Sequence, residues 1–167
     1  MRSPKNVLES LTSKAVNKGY HYQRLYRNLY NPAFFLLAYE RIQAKPGNMT
    51  AGSDGKTIDG MSMKRIEALI QKLKDFSYQP KPARRTYIRK ANGKTRPLGI
   101  PSFNDKLVQE VVRMILESIY EPTFHVTSHG FRPKRSCHTA LQYIKRNYTG
   151  IKWFVEGDIK GCFNHVD

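Results

Sequence analysis

The apolar positions of this chain follow two spacings, which together predict a mostly helical protein carrying one β-hairpin. Val7, Leu8, Leu11, Ala15 and Val16 recur at a helical period and predict a helix over residues 5–18, ended by Gly19. A piece rich in tyrosine and arginine follows, from Tyr20 to Tyr30. Asn31-Pro32 then opens a second helix through about Ala44, with asparagine as cap and proline in the first turn, where no N–H is needed. Residues 46–60 hold Gly47, Gly52, Gly55 and Gly60 with Ser53, Asp54 and Asp59, and read as a loop. A connection that long in a small domain is usually functional or disordered. Ser62 caps a third helix with Ile66, Leu69, Ile70, Leu73 and Phe76 on one face.

Beyond Pro80 and Pro82 the pattern changes to strands over residues 84–90 and 94–101, joined by Ala91-Asn92-Gly93. Two registers are open. A two-residue Asn-Gly turn sets Lys90 opposite Thr95 and sends Lys90 and Arg96 to opposite faces. A three-residue loop with Gly93 in the left-handed conformation pairs Lys90 with Lys94 and Ile88 with Arg96. The second is preferred, because it gathers Lys90 and Arg96 on one face with Ile88 and Leu98.

Ser102-Phe103-Asn104-Asp105 is a capping box with aspartate in the third helical place, and it starts a helix over residues 103–120. Leu107, Val108, Val111, Val112, Ile115, Leu116 and Ile119 give that helix a double-width stripe, predicting the central helix of the core. Glu121-Pro122 stops it. An irregular basic stretch precedes a helix from Ser136 to about Tyr148, closed by Thr149-Gly150. Ile151, Trp153, Phe154 and Val155 then predict a strand that delivers Asp158 where the pattern breaks at Gly157 and Gly161. A strand-end carboxylate with a neighbouring carbonyl suits a hard cation. One carboxylate is not a metal site, however, and these residues alone also read as a surface turn.

Charge changes the picture. The chain has 167 residues, about one domain, with 29 Lys+Arg against 13 Asp+Glu and a net charge of +16. No acid lies between Asp75 and Asp105 or between Glu121 and Glu156, and both windows are filled with lysine and arginine. Tyr87, Phe124, Phe131, Tyr143 and Tyr148 interleave with them, a mixture that neutralises a phosphate backbone and stacks on bases. A solvated basic face kept for solubility is the competing reading. Cys137 and Cys162 are too few for a disulfide scaffold and fit a reducing compartment. The longest apolar run, Ala33–Tyr39, is too short to cross a membrane. Pro4, Lys5, Asn6 and Glu9 occupy the place of a signal peptide's apolar segment. A cytoplasmic setting is expected, bacterial in the first place, with an organelle still open.

Several chemistries drop out. Gly55-Lys56-Thr57 and Gly93-Lys94-Thr95 lack the glycine five places earlier that a phosphate loop requires. His125, His129, Cys162 and His165 are not a standard zinc set. Lysine and arginine on a two-stranded flap, by contrast, suit a triphosphate: arginine offers a planar fork and lysine a point charge.

Five motifs occur in order. They are Arg84-Arg85-x-x-Ile88-x-Lys90, Arg96-Pro97-Leu98-Gly99-Ile100-Pro101, Asp105-Lys106-x-Val108-Gln109, Gly130-Phe131-Arg132-Pro133-x-Arg135-Ser136, and Glu156-Gly157-Asp158-Ile159-Lys160-x-x-Phe163. The series resembles the amino-terminal part of a group II intron reverse transcriptase of the maturase type, from about Asn31 to Asp167. The resemblance implies an α+β fold: a mostly helical fingers subdomain of a right-hand polymerase with an antiparallel hairpin, plus the first palm strand. It divides the chain into an extension (1–60), fingers (61–150, with the hairpin at 84–101 and the core helix at 103–120) and the start of a palm (151–167).

It further implies an RNA-directed DNA polymerase that assists intron splicing and mobility. Asp158 resembles its first metal-binding aspartate, with Ile159 adding a backbone carbonyl to Mg²⁺. Lys90 and Arg96, assisted by Arg84, resemble the residues that grip the dNTP triphosphate, and Phe163 the aromatic that closes off the sugar 2′ position. Arg132, Arg135 and the 46–60 loop are similar to regions that touch template and primer, and Arg85, Arg89, Lys94, Lys134 and Lys56 are expected to join them. The implied partners are intron and template RNA, a DNA primer and dNTP, with no membrane. The family's Tyr-Ala-Asp-Asp strand, which carries the other two carboxylates, does not occur in this sequence. The chain is therefore expected to be inactive in polymerisation by itself, and a stand-alone RNA-binding module is the alternative. Phe34, Phe35, Leu36 and Leu37 could serve a homodimer through the N-terminal helices or the fingers; plain core is their other use.

Overall fold

The structure, a computed structural model, describes residues 2–162. It is α+β and divides into two compact units, residues 1–123 and 124–167. The first contains helices α1 (Pro4–Ala15), α2 (Pro32–Gln43), α3 (Met63–Lys74) and α4 (Phe103–Tyr120), with strands β1 (Arg84–Arg89) and β2 (Thr95–Ile100). The second contains α5 (Cys137–Asn147).

Helix starts follow local chemistry. Ser3, Asn31, Ser62, Ser102 and Ser136 each accept a backbone N–H of the first turn, which satisfies a donor that the helix itself cannot. Pro4 and Pro32 occupy first-turn places. At α5 the box closes both ways, with Thr139 Oγ1 accepting the Ser136 N–H at 2.9 Å.

The core of the first unit is one cluster drawn from all four of its helices. Phe34, Phe35 and Leu107 are fully buried, and α4 packs against both α1 and α2. Each such side chain removed from water contributes on the order of 2 kcal/mol. Helix α4 is the central helix, but its buried stripe runs through Met114 rather than Leu116, which is 43% exposed. The tyrosine-rich piece forms a 3-10 helix over Leu25–Tyr30. Its rings work through their hydroxyls: Tyr26 donates to the Leu73 carbonyl at 3.0 Å, and nearby Tyr22 donates to that of Leu11 at 3.2 Å.

Three further expectations need correction. Phe76 does not share the apolar face of α3: the helix ends at Lys74, and Phe76 sits in the left-handed region at φ +57°, 72% exposed. Helix α1 ends at Ala15, three residues short of the expected end, and Val16 is exposed. Residues 151–155 form no strand: among the described residues the only sheet is β1–β2, and Trp153, Phe154 and Val155 are exposed. A strand exists by pairing, and nothing described pairs with this segment.

Candidate nucleotide and nucleic-acid interface

The hairpin forms because its turn permits only one comfortable geometry. Gly93 sits at φ +77°, where a residue with a Cβ is strained. Lys90 N–H donates to the Lys94 carbonyl at 2.7 Å, and Gly93 N–H to the Lys90 carbonyl at 3.0 Å. The loop therefore has three residues, and the ladder pairs Ile88 with Arg96 and Thr86 with Leu98. Pleat alternation then puts Arg84, Thr86, Ile88 and Lys90 on one face with Lys94, Arg96 and Leu98. The other face carries Arg85, Tyr87 and Arg89. Both faces are solvent-exposed, Ile88 by 51% and Tyr87 by 60%.

A two-stranded hairpin is marginal by itself, so its root has to be held. Asp105 does this. Although 3% exposed, its carboxylate accepts the Tyr78 hydroxyl, the Lys81 N–H at 3.0 Å and the Ser102 hydroxyl at 2.8 Å. Lys81 leads into β1 and Ser102 leaves β2, so one carboxylate ties both legs of the hairpin to the first turn of α4. Burial, followed by the bond to Asp105, raises the Tyr78 phenol well above its ordinary value.

The glycine-rich loop fastens the root from the other side. Arg84 Nε donates to the Ala51 carbonyl at 2.9 Å and Ser53 Oγ to that of Pro82 at 2.5 Å. Gly52 is buried so close to Ser102 that a Cβ would lie 2.7 Å from that residue's Cα and N. The loop is thus docked. Arg65 secures its far end, donating from Nη1 to the carbonyls of Thr57 (3.2 Å) and Asp59 (3.3 Å), and from Nε to Asn104 Oδ1 at 2.8 Å.

The second unit places the remaining basic residues. Arg132 Nη1 donates to the carbonyls of His125 (3.0 Å) and Ser128 (2.8 Å), and its guanidinium lies 5.0 Å from the Phe124 ring centroid. Arg135 Nη1 reaches the Val126 carbonyl at 3.4 Å. Both arginines therefore shape the 125–128 loop, while Lys134, at φ +58°, and Phe131 are both exposed. Asp158 and Ile159 are exposed, and Phe163 lies outside the described residues. No group of three or more His, Cys, Asp or Glu suited to a metal occurs among the described residues. His125 and His129 instead bond Thr127 Oγ1 (2.7 Å) and Thr139 Oγ1 (2.9 Å). Among the described residues no helix is long and apolar enough to cross a membrane.

Sequence reasoning gave Asp105 a capping role and missed its hold on Tyr78 and Lys81. The available signal was the spacing of three donors around the two proline-flanked ends of the hairpin.

Comparison with known proteins bears on this arrangement. Residues 88–167 match the family described as Reverse transcriptase (RNA-dependent DNA polymerase). The chain is 56% identical over 147 residues to the group II intron-encoded protein LtrA of Lactococcus lactis subsp. cremoris, covering 87% of this chain and 24% of that protein. It is 48% identical over 168 residues to an uncharacterized 91 kDa protein in the cob intron of Schizosaccharomyces pombe (97% and 21%). It is 46% identical over 67 residues to nuclear intron maturase 1, mitochondrial, of Arabidopsis thaliana (40% and 9%). The chain thus spans about a quarter, or less, of the length of these relatives.

Proposed function

We propose that this chain, which matches the reverse transcriptase family over residues 88–167 and is similar to group II intron-encoded proteins, is the fingers region and palm entrance of a group II intron reverse transcriptase of the maturase type, an RNA-directed DNA polymerase that also assists splicing and mobility of its intron. The observation that carries this reading is the hairpin register, which sets Lys90, Lys94 and Arg96 on one exposed face beside Ile88 and Leu98. The triphosphate of an incoming dNTP lies against that face, with Arg96 as a planar fork and Lys90 as a point charge. Arg84, its Nε committed to Ala51, assists from the root. Arg85, Arg89 and Tyr87 on the opposite face, with Lys56 and Lys134, contact template RNA and DNA primer. Arg132 and Arg135 act mainly by shaping the loop that presents Lys134.

Asp158 is the first metal-binding carboxylate, the Ile159 carbonyl lies beside it, and Phe163 closes off the sugar 2′ position. Oxygen donors suit Mg²⁺, but the described residues supply too few of them to make a two-metal site. With one such carboxylate this chain does not extend a primer by itself. The test is RNA-templated primer extension by the full-length protein that carries it. Lys90→Ala with Arg96→Ala raises the KM for dNTP at least tenfold while leaving RNA affinity within twofold; an unchanged KM refutes the assignment.

The charge of +16 favours one second reading, a stand-alone RNA-binding module. Absence of RNA binding by residues 1–167 at low salt sinks it. A homodimer through the N-terminal helices gains little from Phe34 and Phe35, which are fully buried, while Leu36 is half-exposed. The proposed setting is the bacterial cytoplasm or an organelle, consistent with the relatives' hosts.

A further inference from the structure

A cavity of about 340 Å³ with a cluster of charged side chains in its wall opens between α3, the connector to β1 and the first turn of α4, and no residue of either strand lines it. Lys56, Arg65, Lys72 and Lys81 line it, against Asp54 and Asp105. Four cations face two carboxylates, and the buried one, Asp105, is already committed. Both Asp105 oxygens already accept internal donors, and Asp54 Oδ1 accepts the Lys56 N–H at 3.2 Å. No side-chain salt bridge to Lys56, Lys72 or Lys81 is found among the described residues, and the nearest acidic influence on Lys72 is the exposed Asp75, whose carboxylate is bonded to Ser77. Arg65 adds a second, independent sign: its Nη2 is buried without a hydrogen-bond acceptor, although Nε and Nη1 are both satisfied. A charged donor left in that state is destabilising unless something accepts from it. Concavity, an excess of positive charge and an unmet donor all call for an oxyanion.

We infer that this cavity binds a phosphate group, specifically a backbone phosphate of bound RNA, at a place separate from the nucleotide face of the hairpin. Lys72 and Lys81 supply the charge, and Arg65, besides holding the loop that leads on from Lys56, offers its unmatched Nη2 donor to the phosphate. The inference deepens the proposed RNA-binding role and rests on it, but it does not depend on polymerisation. Arg65, Lys72 and Lys81 belong to none of the motifs that carried the family resemblance.

The test uses Lys72→Gln with Lys81→Gln, which keeps the Lys81 N–H that bonds Asp105. A control pair, Lys5→Gln with Lys18→Gln, removes two exposed lysines remote from the cavity. Affinity for a single-stranded RNA is measured across a salt series. The cavity pair is expected to flatten the slope of log K against log salt by about 1.4, two contacts at about 0.7 each, with an unchanged melting temperature. The control pair is expected to change it by less than half as much. Equal effects of the two pairs, or an unchanged slope in the cavity pair, overturn the inference. Calorimetry with inorganic pyrophosphate is the second arm: tight binding lost in the cavity pair, with RNA binding intact, assigns the cavity to a free phosphate compound and also overturns it. The dNTP KM of the full-length protein stays unchanged in the cavity pair. Failure of primer extension altogether would remove the polymerase reading and leave the salt-slope result standing.

Discussion

Asp105→Asn is the sharpest perturbation of the scaffold. The native carboxylate is buried and accepts from Tyr78, Lys81 and Ser102. Asparagine keeps one acceptor oxygen and turns an NH₂ toward at least one of these donors. A hydrogen bond to a charged group contributes about 1.5–3 kcal/mol, and a buried donor facing another donor costs about 1–3 kcal/mol. Part of this is recovered because the Tyr78 hydroxyl can rotate and accept from the new amide. The net expectation is a loss of about 3 kcal/mol, which for a chain of this size lowers Tm by about 6–12 °C. Urea denaturation at neutral pH gives the free energy, and a double-mutant cycle with Tyr78→Phe isolates the shared bond, expected to couple by about 1 kcal/mol or more. Limited proteolysis adds the structural readout, since release of the root should expose the hairpin legs before the helices melt. A loss below about 0.5 kcal/mol, or strict additivity with Tyr78→Phe, refutes the idea that one carboxylate holds both legs.

Three further outcomes follow from the same geometry. Gly52→Ala must move the Pro101–Ser102 backbone, because its Cβ would sit 2.7 Å from Ser102; a destabilisation of about 1–3 kcal/mol is expected, and dNTP KM should rise with little change in RNA affinity. Arg113→Ala leaves Glu110, 6% exposed, without its 2.7 Å partner. Burial pushes the Glu110 carboxyl up, but the bond and charge of Arg113, helped by Lys45 and Arg41, outweigh it and lower the pKa. A lowered folded-state value stabilises above the unfolded carboxylate range and is lost as pH falls through it. The wild type should therefore lose stability on acidification below about pH 4.5 more steeply than Arg113→Ala does, as read from Tm against pH.

Much of the fold was legible because it rests on local chemistry. The caps at Asn31, Ser62, Ser102 and Ser136, the loop at 46–60 and the hairpin register are set by a few neighbouring residues, and the structure agrees with each. Features that depend on distant partners were not. Met114 rather than Leu116 enters the core because neighbouring helices decide which edge of a wide stripe is covered. The 3-10 helix at Leu25–Tyr30 is tied down by the Tyr26 hydroxyl reaching across to Leu73, a bond spanning 47 residues. The strand expected at 151–155 needs a neighbour to pair with, which periodicity alone cannot supply. At the hairpin, side-chain chemistry and register were readable, whereas its attachment through Asp105, Gly52 and Ala51 was visible only in three dimensions.

The central claim concerns Asp158, and RNA-templated primer extension by the full-length protein with Asp158→Ala tests it most directly. A carboxylate that would hold the Mg²⁺ neutralising the reacting phosphoryl group would supply several kcal/mol through that ion, so removing it should cut extension by about a thousandfold or more. RNA binding should stay within twofold of wild type, since this carboxylate carries none of the positive charge. Extension at the wild-type rate by Asp158→Ala, or no RNA-templated incorporation by the wild type itself, would contradict the account.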